Sequence, residues 1–125
     1  MRALIQKVSQ ASVTLEKKLI SKIECGLLIF ICAMDDDTKL EAERMALKIS
    51  KLRIFNDENK KMNKSILDIG AEALIVSQFT LAADTTRGNR PGFSSAAEPA
   101  VGETLYEFFI EKLQICGVSC KKGVF

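Results

Sequence analysis

Ala73-Leu74-Ile75-Val76-Ser77-Gln78-Phe79-Thr80-Leu81-Ala82-Ala83-Asp84-Thr85-Thr86-Arg87-Gly88-Asn89-Arg90 starts as one kind of chain and ends as another. Ala73 to Val76 is a continuous apolar run, the pattern of a strand buried on both faces. Ser77, Gln78 and Thr80 then place two hydroxyls and an amide where burial should continue. Buried polar groups cost free energy unless they find partners, so a strand that ends this way ends either on a neighbouring loop or at a site. Spacing alone leaves both readings open. Asp84 to Arg90 reads as a loop, with Gly88-Asn89 as its turn and an arginine on each side.

Working outward, the chain supplies elements to cover that strand. Residues 2–10 and 11–15 alternate imperfectly and predict two β segments or one bent strand. Glu16-Lys17-Lys18 is a charged turn, Leu19 to Glu24 a strand and Gly26 a turn, so 11–24 forms a hairpin. Leu27 to Ala33 is apolar throughout, as a central strand is. Asp35-Asp36-Asp37-Thr38 reads as an N-cap cluster rather than a calcium loop, because the spaced acids and central glycine of such a loop are missing. A helix follows to Leu52, with Ala42, Met45, Ala46, Ile49 and Leu52 as its buried stripe. Lys48 and Lys51 fall on the wet side, which also leaves them free to touch a nucleic-acid backbone. Arg53 to Phe55 is a short strand, Asn56 to Lys60 a turn, and Ile66 to Gly70 a short irregular piece. A second helix starts at Ala97-Glu98-Pro99, with Pro99 near its first turn and Val101, Leu105, Phe108, Phe109, Leu113 and Cys116 as its stripe, and ends at Gly117. Val118 to Phe125 is a last strand.

Composition narrows the chemistry. The 125 residues suffice for one domain, 1–125, and carry a net charge of only +2, which argues against non-specific duplex binding. There is no histidine, so neither a Ser-His-Asp nor a Cys-His arrangement can form within one chain, and no His-based metal site can. Cys25, Cys32, Cys116 and Cys120 make no Cys-x-x-Cys pair and read as reduced, buried thiols. A thiol- or metal-dependent protein is the remote alternative. No apolar run reaches the roughly 18 residues of a membrane span, and Met1 to Lys7 is too short and too alternating for a signal peptide, so a cytoplasmic location is expected.

Ser77-Gln78-Phe79-Thr80-Leu81 resembles the Ser-Gln-x-x-Leu signature of the D-aminoacyl-tRNA deacylases, also called D-tyrosyl-tRNA deacylases. The opening Met1 to Val13 is similar as well, with Lys7 where that family usually has arginine. Asn89-Arg90-Pro91-Gly92-Phe93-Ser94 resembles its Arg-Pro-Ser-Phe segment, with Gly92 in place of serine. The order of Leu52-Arg53-Ile54-Phe55 and Lys61-Met62-Asn63-Lys64-Ser65 before the signature also fits. The resemblance covers essentially the whole chain.

It implies an α/β, three-layer β-β-α fold, a mainly antiparallel sheet with two helices, and a homodimer. It implies hydrolysis of the ester that joins a D-amino acid, or glycine, to the 3′ end of tRNA, with no metal, no cofactor, no membrane and no DNA partner. The catalytic positions would be Ser77, Gln78, Phe79 and Thr80. Backbone amides near Phe79 and Thr80 would hold the developing oxyanion, and the 2′-hydroxyl of the terminal adenosine would assist attack. Thr80 has no adjacent base to make it a nucleophile, so Ser77, Gln78 and Thr80 would position rather than attack. Lys7, Arg90, Pro91 and Phe93 would bind substrate. The family continues past the equivalent of Gly123-Val124-Phe125 with further strands and a Gly-Pro segment that rejects L-amino acids. The sequence is therefore expected to lack those strands and that filter. The alternative is a catalytically impaired homologue that binds nucleic acid or a partner.

Overall fold

The computed structural model describes residues 1–125. Its centre is a four-stranded sheet in the order β1 (Arg2–Val8), β4 (Gly26–Cys32), β7 (Glu72–Ser77), β8 (Ser119–Lys122). β1 lies antiparallel to β4, with Ala3 opposite Ile31 and Lys7 opposite Leu27. β7 is parallel to both its neighbours, with Ile31 opposite Ser77 and Ala73 opposite Cys120. The hairpin of β2 (Ala11–Leu15) and β3 (Lys18–Ile23) and the small pair β5 (Phe55–Asn56) and β6 (Met62–Lys64) are antiparallel. Antiparallel pairing thus accounts for three of the five pairings in the chain, while both pairings of β7 are parallel. Parallel neighbours need crossovers, and α1 (Lys39–Lys51) and α3 (Pro99–Ile115) lie on those connections.

The alternation along the strands sets the layers. Leu27, Ile29, Ile31, Ala73 and Ile75 face the helices and share one core with Ala42, Ala46, Ile49, Phe109 and Leu113. The opposite face meets the hairpin: the methyls of Val13 and Val76 close on Gly123, and the Ser21 hydroxyl donates to the Lys122 carbonyl. Helices, sheet and hairpin make the three layers. Gly26 fixes how closely β4 and β7 approach, because a Cβ there would sit 1.8 Å from the Glu72 carbonyl oxygen.

Several local expectations change. Within the Asp35–Thr38 cap cluster it is Thr38 that caps α1, in a capping box with Glu41, while Asp37 binds the Met1 amino group at 2.6 Å and the Met34 N–H at 2.7 Å. The irregular piece before β7 is a four-residue helix, α2 (Ile66–Ile69), capped by Ser65 with Asp68. On α3, Val101 is exposed, while Tyr106 and Ile110 join Leu105, Phe109 and Leu113 in the core. The apolar face is wider than a single stripe because the helix packs on both the sheet and α1. Cys25 is exposed and Cys116 and Cys120 are half-buried, so only Cys32 is the buried thiol expected of all four. No helix is long and apolar enough to cross a membrane.

Candidate functional site

β7 carries the signature to the edge of a cleft. Ser77 still pairs with Ile31, and the Gln78 N–H donates to the Ile31 carbonyl at 2.9 Å, so the strand continues one residue past its last ladder pair. The chain then folds into a 3-10 turn, Phe79–Ala82. Its later N–H groups are used: Leu81 donates to the Gln78 carbonyl at 3.2 Å, and Ala83 to the Thr80 carbonyl at 3.1 Å. The N–H groups of Phe79 and Thr80, the first two of the turn, have no acceptor within it. This is the ordinary consequence of starting a helical turn, and Phe79, the first of the two, borders the cleft.

The turn is held from three sides. The Arg2 guanidinium donates to the Leu81 carbonyl at 2.8 Å, which ties it to β1. The Cys32 thiol lies 3.7 Å from the Phe79 carbonyl oxygen, and burial pushes that thiol's pKa up, so it is neutral. The Gln78 side-chain amide donates to the Thr80 hydroxyl oxygen. That hydroxyl is engaged by an amide, with no imidazole in the chain to take its proton.

The cleft has a volume of about 660 Å³ and a mainly apolar wall, with Ser77, Phe79, Phe93, Tyr106 and Phe125 around it. Phe79 is 60% exposed, and its ring meets Phe93 edge-on, centroids 5.2 Å apart at 67°. On the far side Phe125 tilts against Tyr106 at 5.6 Å. The Tyr106 hydroxyl is buried and donates to the Ile75 carbonyl at 2.7 Å, which locks α3 to β7 directly behind the signature. Burial pushes this phenol to about 12, with Glu107 adding to the shift. No group of three His, Cys, Asp or Glu side chains is arranged to hold a metal ion.

The loop after the turn is closed at its base. Asp84 and Gly92 exchange two backbone hydrogen bonds, at 2.8 and 2.9 Å. The Asp84 carboxylate accepts from the Thr86 N–H at 3.0 Å and the Thr86 hydroxyl at 2.7 Å, and these bonds hold its pKa below the usual range. Arg87, Arg90 and Pro91 are exposed on this loop, and neither arginine is in a salt bridge.

The structure brings Ser77, Phe79 and Phe93 together around the cleft; Gln78 and Thr80 bond each other beside them but are not part of its wall. Arg90 and Pro91 stand on the adjoining loop rather than in the wall. Lys7 belongs elsewhere: its partner on β4 is Leu27, four residues from the Ala3–Ile31 pair at the cleft end, a distance of about 13 Å along the strand. Its ammonium donates to the Ile54 carbonyl at 3.2 Å. Strand register decides this, and Arg2 occupies the cleft end of β1 in its place. Cys32, Glu98, Tyr106 and Phe125 border the cleft without having been singled out as site residues, because helix and strand patterns absorb them.

A family model described as D-Tyr-tRNA(Tyr) deacylase matches residues 4–125. Proteins named D-aminoacyl-tRNA deacylase are similar over the full chain: 58% identical in Cereibacter sphaeroides, over 86% of that protein, and 48% in Koribacter versatilis, over 84%. A solved structure named c-Myc DNA Unwinding Element Binding Protein is 38% identical, with a TM-score of 0.93 over 100% of this chain and 85% of that one. Another, described as a probable eukaryotic D-amino acid tRNA deacylase, shares the fold at 20% identity, with a TM-score of 0.78 over 93% of this chain and 68% of that one.

Proposed function

The chain belongs to the D-aminoacyl-tRNA deacylase family and hydrolyses the ester of D-aminoacyl-tRNA, and from that premise we propose how its cleft does so. The carbonyl oxygen of the ester lies against the N–H groups of Phe79 and Thr80. As water attacks, the oxygen gains charge, and two fixed donors at an apolar wall stabilise it more than solvent would. The 2′-hydroxyl of the terminal adenosine assists the attack. Ser77, Gln78 and Thr80 hold the corner in shape, and Phe79 and Phe93 shield the ester. Arg90 and Pro91, on a loop stiffened at its base, meet the RNA beyond the cleft, and Arg87 adds a second cation there. Lys7 is outside this assignment.

The observation that carries the reading is the pair of adjacent N–H groups at the start of the 3-10 turn, without acceptors inside it, where the signature leaves the sheet. The finer parts are proposals of the same kind. Residues 1–125 act as one domain, in the cytoplasm, where charged tRNA is found. Glycyl-tRNA is a second substrate, because the pair of donors needs only the ester. A homodimer is supported by the apolar side chains exposed on the hairpin and at the chain's end, among them Leu15, Leu19, Ile20 and Val124.

A second reading, nucleic-acid binding without turnover, is favoured by the name of the 38% identical structure. Release of D-tyrosine from D-tyrosyl-tRNA, measured beside L-tyrosyl-tRNA and a duplex-DNA binding assay, separates the two. Turnover of the D-ester at catalytic protein concentrations is expected. DNA binding with no release from the D-ester would establish the second reading instead.

A further inference from the structure

The 3-10 turn Phe79–Ala82 is clamped through its carbonyls. The Thr80 carbonyl is taken by the turn's own ladder, from the Ala83 N–H at 3.1 Å. The other three meet side chains from three separate segments. The Phe79 carbonyl lies 3.7 Å from the Cys32 thiol, at the end of β4. The Leu81 carbonyl accepts from the Arg2 guanidinium at 2.8 Å, at the start of β1. The Ala82 carbonyl accepts from the Ser95 hydroxyl at 3.3 Å, on the loop before α3. Arg2 and Cys32 stand directly opposite each other in the β1–β4 ladder, so the sheet supplies two of these three ties.

The ties are unequal. A thiol is a weak donor, and the Cys32 thiol also lies 3.5 Å from the Ala33 carbonyl oxygen, which competes for its one proton. The Ser95 bond is long and joins neutral groups. The Arg2 bond is short and charge-assisted, a class about twice as strong as bonds between neutral groups. Arg2 joins no salt bridge, so no carboxylate competes for it. Its charge also reaches Asp84, at the base of the next loop, where it adds to the Thr86 bonds that hold that carboxyl low. Arg2 is thus the strongest tie on the turn, and it comes from 79 residues away in sequence.

We propose that Arg2 is a positioning residue for the hydrolysis: by holding the Leu81 carbonyl it sets the direction in which the Phe79 and Thr80 N–H groups meet the ester oxygen. The inference rests on the hydrolase reading of the same turn. In a helical turn the carbonyls point towards one end and the N–H groups towards the other. The Phe79 and Thr80 N–H groups have no acceptor inside the turn, so its own bonds do not fix their aim. The clamp on the carbonyl end does. An oxyanion donor works only when aimed at the place where charge develops, and a small misplacement forfeits much of its effect. Arg2 acts through the turn and not on the ester.

The test compares the full chain as wild type, Arg2→Met and Arg2→Lys, in D-tyrosyl-tRNA hydrolysis and in amide hydrogen exchange. Methionine keeps a long side chain without charge or donor. The bond uses a single guanidinium nitrogen, so a lysine ammonium can replace it. Arg2→Met is expected to lose roughly tenfold in kcat with KM within about twofold of wild type. It should also speed exchange of the Leu81 and Ala83 amides, which close the turn, while the amides of β4 and β7 keep their protection. Arg2→Lys should recover most of both effects. A merely structural role would instead speed exchange across the whole sheet, and that result overturns the inference. So does an Arg2→Met variant with wild-type kcat, a rise in KM alone, which would give the Arg2 charge to the RNA, or an Arg2→Lys variant as impaired as Arg2→Met. Wild type that releases no D-tyrosine would count against the hydrolase reading itself, while exchange at Leu81 and Ala83 would still decide whether Arg2 holds the turn.

Discussion

Tyr106→Phe removes a single oxygen from the centre of the molecule. That oxygen donates to the Ile75 carbonyl at 2.7 Å, and the ring around it is buried, so the substitution changes a hydrogen bond and almost no packing. The Ile75 carbonyl is not left bare, because it also accepts the Gly123 N–H at 3.1 Å. The loss should therefore be that of one net buried hydrogen bond, about 1–2 kcal/mol, rather than the larger cost of an orphaned carbonyl. For 125 residues the unfolding entropy is near 260 cal/mol/K, which converts this loss to about 4–8 °C in Tm. Alkaline pH supplies a second readout. The fold raises the phenol from 10.0 to about 12, so the unfolded chain gives up the proton first. Stability from this group is complete below about pH 10 and is lost as pH rises towards 12. Thermal unfolding followed by circular dichroism should show Tyr106→Phe less stable at pH 7, with the gap to wild type narrowing between pH 10 and 12. A Tm within about 1 °C of wild type at pH 7, or a gap that stays constant through that range, would refute the reasoning.

Two further outcomes follow from the same physics. Gly26→Ala places a Cβ 1.8 Å from the Glu72 carbonyl oxygen, so β4 and β7 must part where their ladder begins; a loss of about 3 kcal/mol or more, hence 10 °C or more in Tm, is expected in the same melting experiment. Cys120, raised from 9.0 to about 12 by burial with a contribution from Cys116, contributes stability that is complete below about pH 9 and lost as pH rises towards 12. Cys120→Ala should accordingly flatten the alkaline part of a chemical-denaturation series while costing some packing at pH 7.

How much of this was legible in the sequence depended on whether a feature is local. α1 and β4 announce themselves by period and by unbroken apolar character, and the polar end of β7 marks the site because burial should have continued there. α2 is too short to have a period, although Ser65 and Asp68 stand at capping-box spacing. Parallel pairing of β7 is not written in its residues, since an apolar run looks the same in either direction. Lys7 and Arg2 exchange places as site neighbours because register, not composition, sets which end of β1 reaches the cleft. Tyr106 and Phe125 become a wall only when α3 folds back against the sheet. The amides of Phe79 and Thr80 were legible through the motif alone; that they begin a 3-10 turn, with no acceptor inside it, is not written in their residue types.

The oxyanion role of the turn is tested most directly by hydrolysis of D-tyrosyl-tRNA with Thr80→Pro beside Thr80→Ala. The Thr80 N–H has no acceptor within the turn, so proline at this second position takes away a donor without breaking the turn's own hydrogen bonds, and melting curves check that each variant folds. Thr80→Ala keeps the N–H and loses only the hydroxyl that accepts from Gln78, so its kcat should stay within about tenfold of wild type. Thr80→Pro should lose about 10²–10³ in kcat, the cost of one oxyanion donor. A folded Thr80→Ala that loses as much as Thr80→Pro, or a folded Thr80→Pro that turns over at the wild-type rate, would contradict it.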